Sequence, residues 1–164
     1  MVAMRRATIA DAEAIAKIHV EAYEASLADV TSREVLDEAN AGRLAMWKSL
    51  LVHPPDGQAV FVVVDDDVTG FVSAGPTRDR GAPSKDGEVD ALFVHPARWR
   101  SGIGSALLAR SLEHLEASGL ERAKLWVLDK NDRARRFYEA RGWCDTGALR
   151  EDERGRFLRY ATSV

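Results

Sequence analysis

A strand–helix–strand pattern between residues 88 and 128 constrains the fold of this chain more than any other feature. "EVDALFV" has the composition of a strand, residues 102 to about 118 repeat apolar side chains at helical spacing, and "RAKLWVL" predicts the next strand. A helix that connects two strands of one sheet places them parallel, through a right-handed crossover. Simple alternation in the first strand predicts that even-numbered residues share one face, opposite the odd-numbered ones: Glu88, Asp90, Leu92 and Val94 against Val89, Ala91 and Phe93.

The remaining segments add strands and helices on both sides of this unit. "MRRATI" predicts an edge strand, a helix begins at Asp11, and a second helical stretch covers about residues 32–51. "AVFVVVDDDVTGFVSAG" predicts a hairpin, "NDRARRFYEARG" a short helix, and "WCDTGAL" with "RFLRYAT" a terminal pair of strands. We therefore expect an α+β (α/β three-layer) fold, a mixed central β-sheet flanked by helices, in one domain over residues 1–164.

Composition narrows the partners and the cellular setting. A net charge of -3 argues against general nucleic-acid binding, and no stretch approaches the ~20 apolar residues of a membrane span. The single cysteine, Cys144, excludes an internal disulfide and fits a cytoplasmic setting; we expect it to be a small buried residue on a strand. The four histidines lack metal-ligand spacing, so no metal site is predicted.

The junction "VHPARWRSGIGSALL" carries the first sign of chemistry. Gly102 and Gly104 have no Cβ, so a ligand can approach the backbone, and the amides of residues 101–105 would be free donors at a helix start. Arg98 and Arg100 would add the positive charge that a diphosphate requires. The junction lacks both the third glycine of a dinucleotide fingerprint and the Gly-Lys-Ser/Thr of a P-loop. Alone, it is equally compatible with a tight turn.

Two segments together resemble the GCN5-related N-acetyltransferase (GNAT) family. "LFVHPARWRSGIGSALL" is similar to the family's acetyl-CoA motif, Arg/Gln-x-x-Gly-x-Gly/Ala. "LWVLDKNDRARRFYEARGW" is similar to its Asn-x-x-Ala-x-x-Phe-Tyr…Gly pattern, through Asn131, Ala134, the Phe137-Tyr138 pair and Gly142. One position departs, since Trp99 stands where the family has Arg or Gln.

The resemblance implies a GNAT-like acyl-CoA N-acyltransferase fold and an enzyme that moves the acetyl group of acetyl-CoA to a primary amine. The alternative is a non-catalytic acyl-CoA-binding module that senses the cofactor. The implied cofactor-binding residues are the strand backbone beside the pantetheine arm, the diphosphate loop and one amide side chain: Leu92, Phe93, Val94; Arg98, Arg100, Ser101, Gly102, Ile103, Gly104, Ser105; and Asn131.

The same resemblance suggests the catalytic groups. Tyr138 is the candidate general acid for the departing thiolate, although it could instead be a core aromatic residue. Glu88, and after it Asp90, are candidates for the base that takes the amine proton, although either could be a solvated carboxylate at a strand start. The acceptor, a small molecule or a peptide, is not identified by the sequence. Neither are the acyl range and the oligomeric state, where a homodimer remains open.

Overall fold

The computed structural model describes residues 2–164. Its strands are β1 (Ala3–Arg6), β2 (Ala59–Asp65), β3 (Asp67–Pro76), β4 (Asp86–Val94), β5 (Arg122–Leu128), β6 (Cys144–Asp152) and β7 (Gly155–Ser163). Its α-helices are α1 (Ala12–Leu27), α2 (Arg33–Asn40), α3 (Arg43–Val52), α4 (Ile103–Ala117) and α5 (Asp132–Glu139). The predicted elements are confirmed in type and order.

Within residues 2–164 the strands form one mixed sheet in the order β1-β2-β3-β4-β5-β7-β6. Every neighbouring pair is antiparallel except β4 and β5, which are parallel and joined through α4, as the strand–helix–strand pattern predicts. β1 pairs with β2 at one edge, which confirms "MRRATI" as an edge strand. Parallel pairing is thus confined to the centre of the sheet.

Alternate residues of β2 explain why helices cover both faces. Phe61 and Val63 belong to the core against α4, whereas Val60 and Val62 pack with residues of α1 and α3. At Gly70 of β3 a Cβ would lie 3.0 Å from Ile103 Cγ2, so the missing side chain lets α4 approach the sheet closely. The three-layer expectation is therefore confirmed.

Strict alternation along β4 is wrong, because the strand contains a bulge. Ser73 of β3 pairs with Ala91 and its neighbour Ala74 pairs with Val89, so Asp90 is an extra residue without a cross-strand partner. The bulge reverses the parity of the strand. Val89 consequently packs on the same core as Leu92 and Val94, although their numbers alternate.

Two other expectations need correction. The helical stretch over residues 32–51 is two helices, because the chain turns at Ala41 and at Gly42, whose φ of 77° is left-handed. Cys144 does start a strand, but it is exposed rather than buried, since β6 is the outer strand and lies at the sheet edge. The first difference is local, at Gly42, and the second comes from the position of β6 in the sheet.

The fold opens a gap at the centre of the sheet. In the described chain, β4 and β5 pair only from Asp86 with Arg122 to Glu88 with Lys124. A buried ion pair between Asp86 and Lys124 stabilises this short paired stretch of β4 and β5. Because the pairing stops at Glu88, just before the bulge, the two strands part and leave the rest of β4 with an open edge.

Candidate active site

A cleft of about 840 Å³ occupies the gap between β4 and β5. It runs from the start of α4, at Gly102 and Gly104, past β4 and β5 to Tyr138 of α5. Tyr23 of α1 and Phe157 of β7 also line the cleft. Elements from both motifs of the sequence therefore surround one elongated site.

The start of α4 has the geometry of an anion site. Gly102 caps the helix with a φ of 86°, and Arg100 before it has a φ of 62°, so the turn directs the first helical amides outward from the helix end. A Cβ on Gly104 would make only ordinary contacts, 3.5 Å from Phe137 and 3.8 Å from Val94. The fold does not require glycine there, whereas a ligand close to the backbone would.

Three arginines from two parts of the chain flank this helix start. Arg98 forms an ion pair with Asp65 of β2, while Arg100 lies on the cleft and is exposed. Arg141, which follows α5, reaches Ser105 Oγ from Nε at 3.1 Å and lies 3.9 Å over the Phe137 ring. The charge that a diphosphate needs is thus concentrated locally, although the whole chain is acidic.

Trp99, the position that departs from the family pattern, is fixed between two groups. Its indole N–H donates to the carbonyl oxygen of Val94 at 2.9 Å, on the open end of β4. The guanidinium of Arg133 lies 3.6 Å from the centre of the Trp99 ring and donates to Ser26 Oγ of α1 at 3.0 Å. Trp99 therefore holds an arginine of α5 at the cleft by a cation–π contact.

The α5 residues face the same space. Asn131 caps the helix, with Oδ1 accepting from the Ala134 amide at 3.2 Å, and its side chain lines the cleft. Tyr138 lies in edge contact with Trp143, at a centroid distance of 5.7 Å. Burial raises the pKa of the Tyr138 phenol, against a smaller opposing effect of Arg133. The phenol is therefore protonated at neutral pH and able to donate.

Glu88 lies where β4 and β5 part. Its Oε1 accepts from Thr77 Oγ1 at 3.2 Å and from Arg159 Nη2 at 3.1 Å. Burial, and then the negative charge of Asp90, raise the pKa of the Glu88 carboxyl, while Arg159 lowers it. A carboxylate with a raised pKa accepts a proton more readily at neutral pH, which suits a general base.

Asp90 sits on the bulge and lines the cleft directly. Its Oδ2 accepts from Gln58 Nε2 at 2.5 Å and its Oδ1 from Arg78 Nη2 at 3.2 Å. Both oxygens are therefore occupied by neighbouring side chains. These contacts favour Asp90 as a neighbour that tunes Glu88 over a role as the proton acceptor.

Most of the remaining predicted residues line the cleft, and two do not. Those on the cleft include Leu92, Phe93, Val94 and Ser105. Ile103 instead packs its side chain into the core, and the Ser101 hydroxyl donates to the Arg98 carbonyl at 2.5 Å. For these two residues only the backbone can serve a ligand.

Sequence reasoning missed three arginines of the site: Arg133, Arg141 and Arg159. The first two lie in the second motif, where only the spacing of its matched residues was used. Arg159 is 4% exposed and occupies the middle of "RFLRYAT". A charged residue at a buried strand position was the available signal, because such residues are buried almost only when paired.

Comparison with known proteins agrees with this geometry. The model of the Acetyltransferase (GNAT) family matches residues 12–143. The uncharacterized N-acetyltransferase YuaI of Bacillus subtilis (strain 168) is 33% identical over 134 residues, 80% of this chain and 74% of the relative. A phosphinothricin N-acetyltransferase of Streptomyces coelicolor is 31% identical over 115 residues, 68% of this chain and 66% of that protein. The crystal structure of the PaiA N-acetyltransferase from Thermoplasma acidophilum in complex with coenzyme A shares the fold, with a TM-score of 0.81 and 17% identity, covering 100% of this chain and 99% of that one.

The chain belongs to the GNAT acetyltransferase family and is an acetyl-CoA-dependent N-acetyltransferase. Acetyl-CoA is its cosubstrate, and the glycine-bounded helix start with its arginines fits the phosphates of that molecule. No helix within residues 2–164 has the length and hydrophobicity to cross a membrane. The same residues bring together no group of three His, Cys, Asp or Glu side chains that could hold a metal ion.

Proposed function

We propose that this enzyme acetylates a primary amine of a small molecule by direct transfer, with Glu88 as general base and Tyr138 as general acid. The observation that carries this proposal is that Tyr138 lines the cleft and that Glu88 directly precedes two of its lining residues on β4, Val89 and Asp90. Glu88 itself lies just outside the cleft lining, where the pairing of β4 with β5 ends. Acetyl-CoA supplies the acetyl group as a thioester.

The diphosphate would be held by backbone amides of residues 102–105, with charge from Arg100 and Arg141. The open edge of β4 beyond the bulge, from Ala91 to Val94, offers its backbone to the pantetheine arm. Asn131 Nδ2 is available to the same arm, because its Oδ1 is used in capping α5. Together these contacts would place the thioester between the two catalytic groups.

The protonation states suit the two roles. An alkylammonium has a pKa of about 10.4, so the acceptor must lose a proton before it can attack. Glu88 takes that proton, directly or through a water, and its raised pKa improves it as a base. Tyr138 gives its phenolic proton to the departing thiolate, and burial keeps that proton in place beforehand.

Release of free thiol from acetyl-CoA in the presence of an amine panel tests the proposal. Glu88→Gln and Tyr138→Phe should each lower kcat by about 100-fold or more, the usual size of a general acid–base contribution, with little change in acetyl-CoA affinity. Matched controls are Glu116→Gln, an exposed glutamate on α4, and Tyr160→Phe on the α4/α5 side of the sheet.

Each outcome of that experiment has a definite meaning. Near-normal kcat in both variants would refute the assigned roles. Acetyl-CoA binding without thiol release from any amine would instead favour the non-catalytic module. A small-molecule acceptor is supported by the name of the Streptomyces coelicolor relative, and efficient acetylation of peptides alone would contradict it.

A further inference from the structure

A second group of arginines packs against aromatic side chains that line the cleft on the side of β5 and β7. These aromatic residues are Trp126 and Phe157. The guanidinium of Arg150 lies 4.8 Å from the centre of the Trp126 ring and 4.9 Å from that of Phe157. The guanidinium of Arg159 lies 4.6 Å from the centre of the Trp126 ring, and that of Arg154 lies 4.6 Å from the centre of the Phe157 ring. The rings of Trp126 and Phe157 are thus each in contact with two guanidiniums.

Two of these arginines have carboxylate partners. Arg154 is paired with Asp152, with an Nη2–Oδ2 distance of 2.5 Å. Arg159 is paired with Asp79 at 2.7 Å and with Glu88 at 3.1 Å. Their charges are therefore already balanced within the protein.

Arg150 and Arg43 differ from that pair. Among residues 2–164 neither has a carboxylate within ion-pair distance, and the side-chain hydrogen bond of Arg43 goes to the neutral Asn40 Oδ1 at 3.4 Å. Arg43 is half-buried over the ring of Tyr23, at 5.2 Å. Burial lowers the pKa of its guanidinium, while Tyr23 raises it by a smaller amount and Arg154 lowers it by less still. A partly buried cation without a carboxylate partner is poorly compensated, and an anionic ligand would stabilise it.

We propose that Arg43 and Arg150 bind an anionic group of the acceptor, so that the substrate is an amine that also carries a carboxylate or a similar oxyanion. This inference rests on the proposed function. The amine would lie near Glu88 and Asp90, and the anion would lie toward the arginines beyond Trp126. An acceptor with both charges would pair its amine with the carboxylates and its anion with the arginines.

The register of the strands links these two groups. Arg159, which contacts Glu88, pairs with Trp126 across β5 and β7, and Phe157 two residues earlier pairs with Arg150. Residues two apart on a strand are separated by about 7 Å. The guanidiniums of Arg150 and Arg159 also lie 4.8 and 4.6 Å from the centre of the same Trp126 ring, so a small molecule spans the distance from Glu88 to Arg150. Cofactor phosphates have their own cations at the start of α4, namely Arg100 and Arg141.

Paired substrates test the proposal: L-amino acids and the amides of the same amino acids, compared at equal concentrations of free amine. The unmodified enzyme should show a kcat/KM at least about tenfold higher for the acid member of the preferred pair, as expected for a charge-assisted contact. Arg43→Gln and Arg150→Gln should each reduce that preference by about tenfold, and Arg43→Lys should retain much of it. Arg156→Gln is the control for charge, because Arg156 is exposed and paired with Glu151.

Three results would overturn the proposal. The first is equal or better turnover of the amides, and the second is a loss in the Gln variants that is the same for both members of a pair. The third is a selective loss of acetyl-CoA affinity in Arg150→Gln, which would assign the cluster to the cofactor.

If no amine is turned over, the proposed function fails. Calorimetry that compares binding of the acid and of the amide, with coenzyme A present, then decides this inference separately. Tighter binding of the acid, lost in Arg43→Gln, would support it, and equal binding would refute it.

Discussion

Protonation of His19 is expected to lower the stability of the fold in mild acid. The ring is 6% exposed, and its Nδ1 accepts a hydrogen bond from the Trp47 indole at 3.0 Å. It also stacks on Phe93 of β4 with a centroid distance of 4.5 Å. Burial, and then the charge of Arg43, lower the pKa of His19 to about 3. The neutral ring is therefore part of the support behind β4.

The sign and size of the effect follow from proton linkage. The unfolded chain binds a proton at His19 near pH 6.5, whereas the folded chain does so only near pH 3, so stability falls as the pH drops between these values. Between pH 7 and pH 5 the loss attributable to this residue is about 2 kcal/mol. Urea unfolding at the two pH values measures it as a difference in the free energy of unfolding.

A His19→Asn variant isolates this contribution. Asn offers an oxygen acceptor to the Trp47 indole and does not titrate in this range. The variant is expected to be less stable at pH 7, because its side chain is smaller, but its loss of stability between pH 7 and pH 5 should be about 2 kcal/mol smaller than in the unmodified protein. Equal losses in the two proteins would refute the reasoning.

Three further predictions concern the cleft. Trp99→Ala should raise the KM for acetyl-CoA severalfold with a smaller effect on kcat, since it removes the ring that holds a guanidinium there; an unchanged KM in steady-state assays would contradict this. Gly104→Ala should leave thermal stability equal or slightly higher while weakening acetyl-CoA binding in calorimetry, and a matching loss of stability would show that the fold needs the glycine. Asp90→Asn should move the acidic limb of the kcat/KM pH profile to lower pH, and Arg159→Met should move it to higher pH, because the two charges act oppositely on the pKa of Glu88. Shifts in the same direction would argue against Glu88 as the titrating base.

The sequence predicted the fold well because its strongest patterns are local. The run of apolar residues from 103 to 115 lies on the face that α4 buries, and "RAKLWVL" matches the bounds of β5. The parallel pairing of β4 and β5 follows from the handedness of the crossover and needs no further information. The resemblance of both motifs to one family also predicted that the start of α4 and α5 share a site. Each of these steps depends on residues close together in the chain.

The site depends more on contacts between distant segments. The bulge at Asp90 is set by the register of β4 against β3, which alternation within β4 cannot reveal. Arg159 meets Glu88 across 71 positions of sequence, and its burial follows from the packing of β7 against β5. Gly42, by contrast, was visible in the sequence as a helix breaker, and the break between α2 and α3 could have been predicted from it.

Trp99 shows how a departure from a family pattern can be compensated in three dimensions. Replacing Arg or Gln by Trp removes a polar side chain from the loop before α4. The ring that replaces it holds Arg133, so a guanidinium from the second motif lies at the cleft instead. The indole N–H also binds the Val94 carbonyl, which fixes the loop against the end of β4. Cation–π contacts add attraction without neutralising the cation, so Arg133 keeps its charge for an anionic ligand. The two motifs therefore place positive charge at the cleft together, because Trp99 of the first motif holds Arg133 of the second.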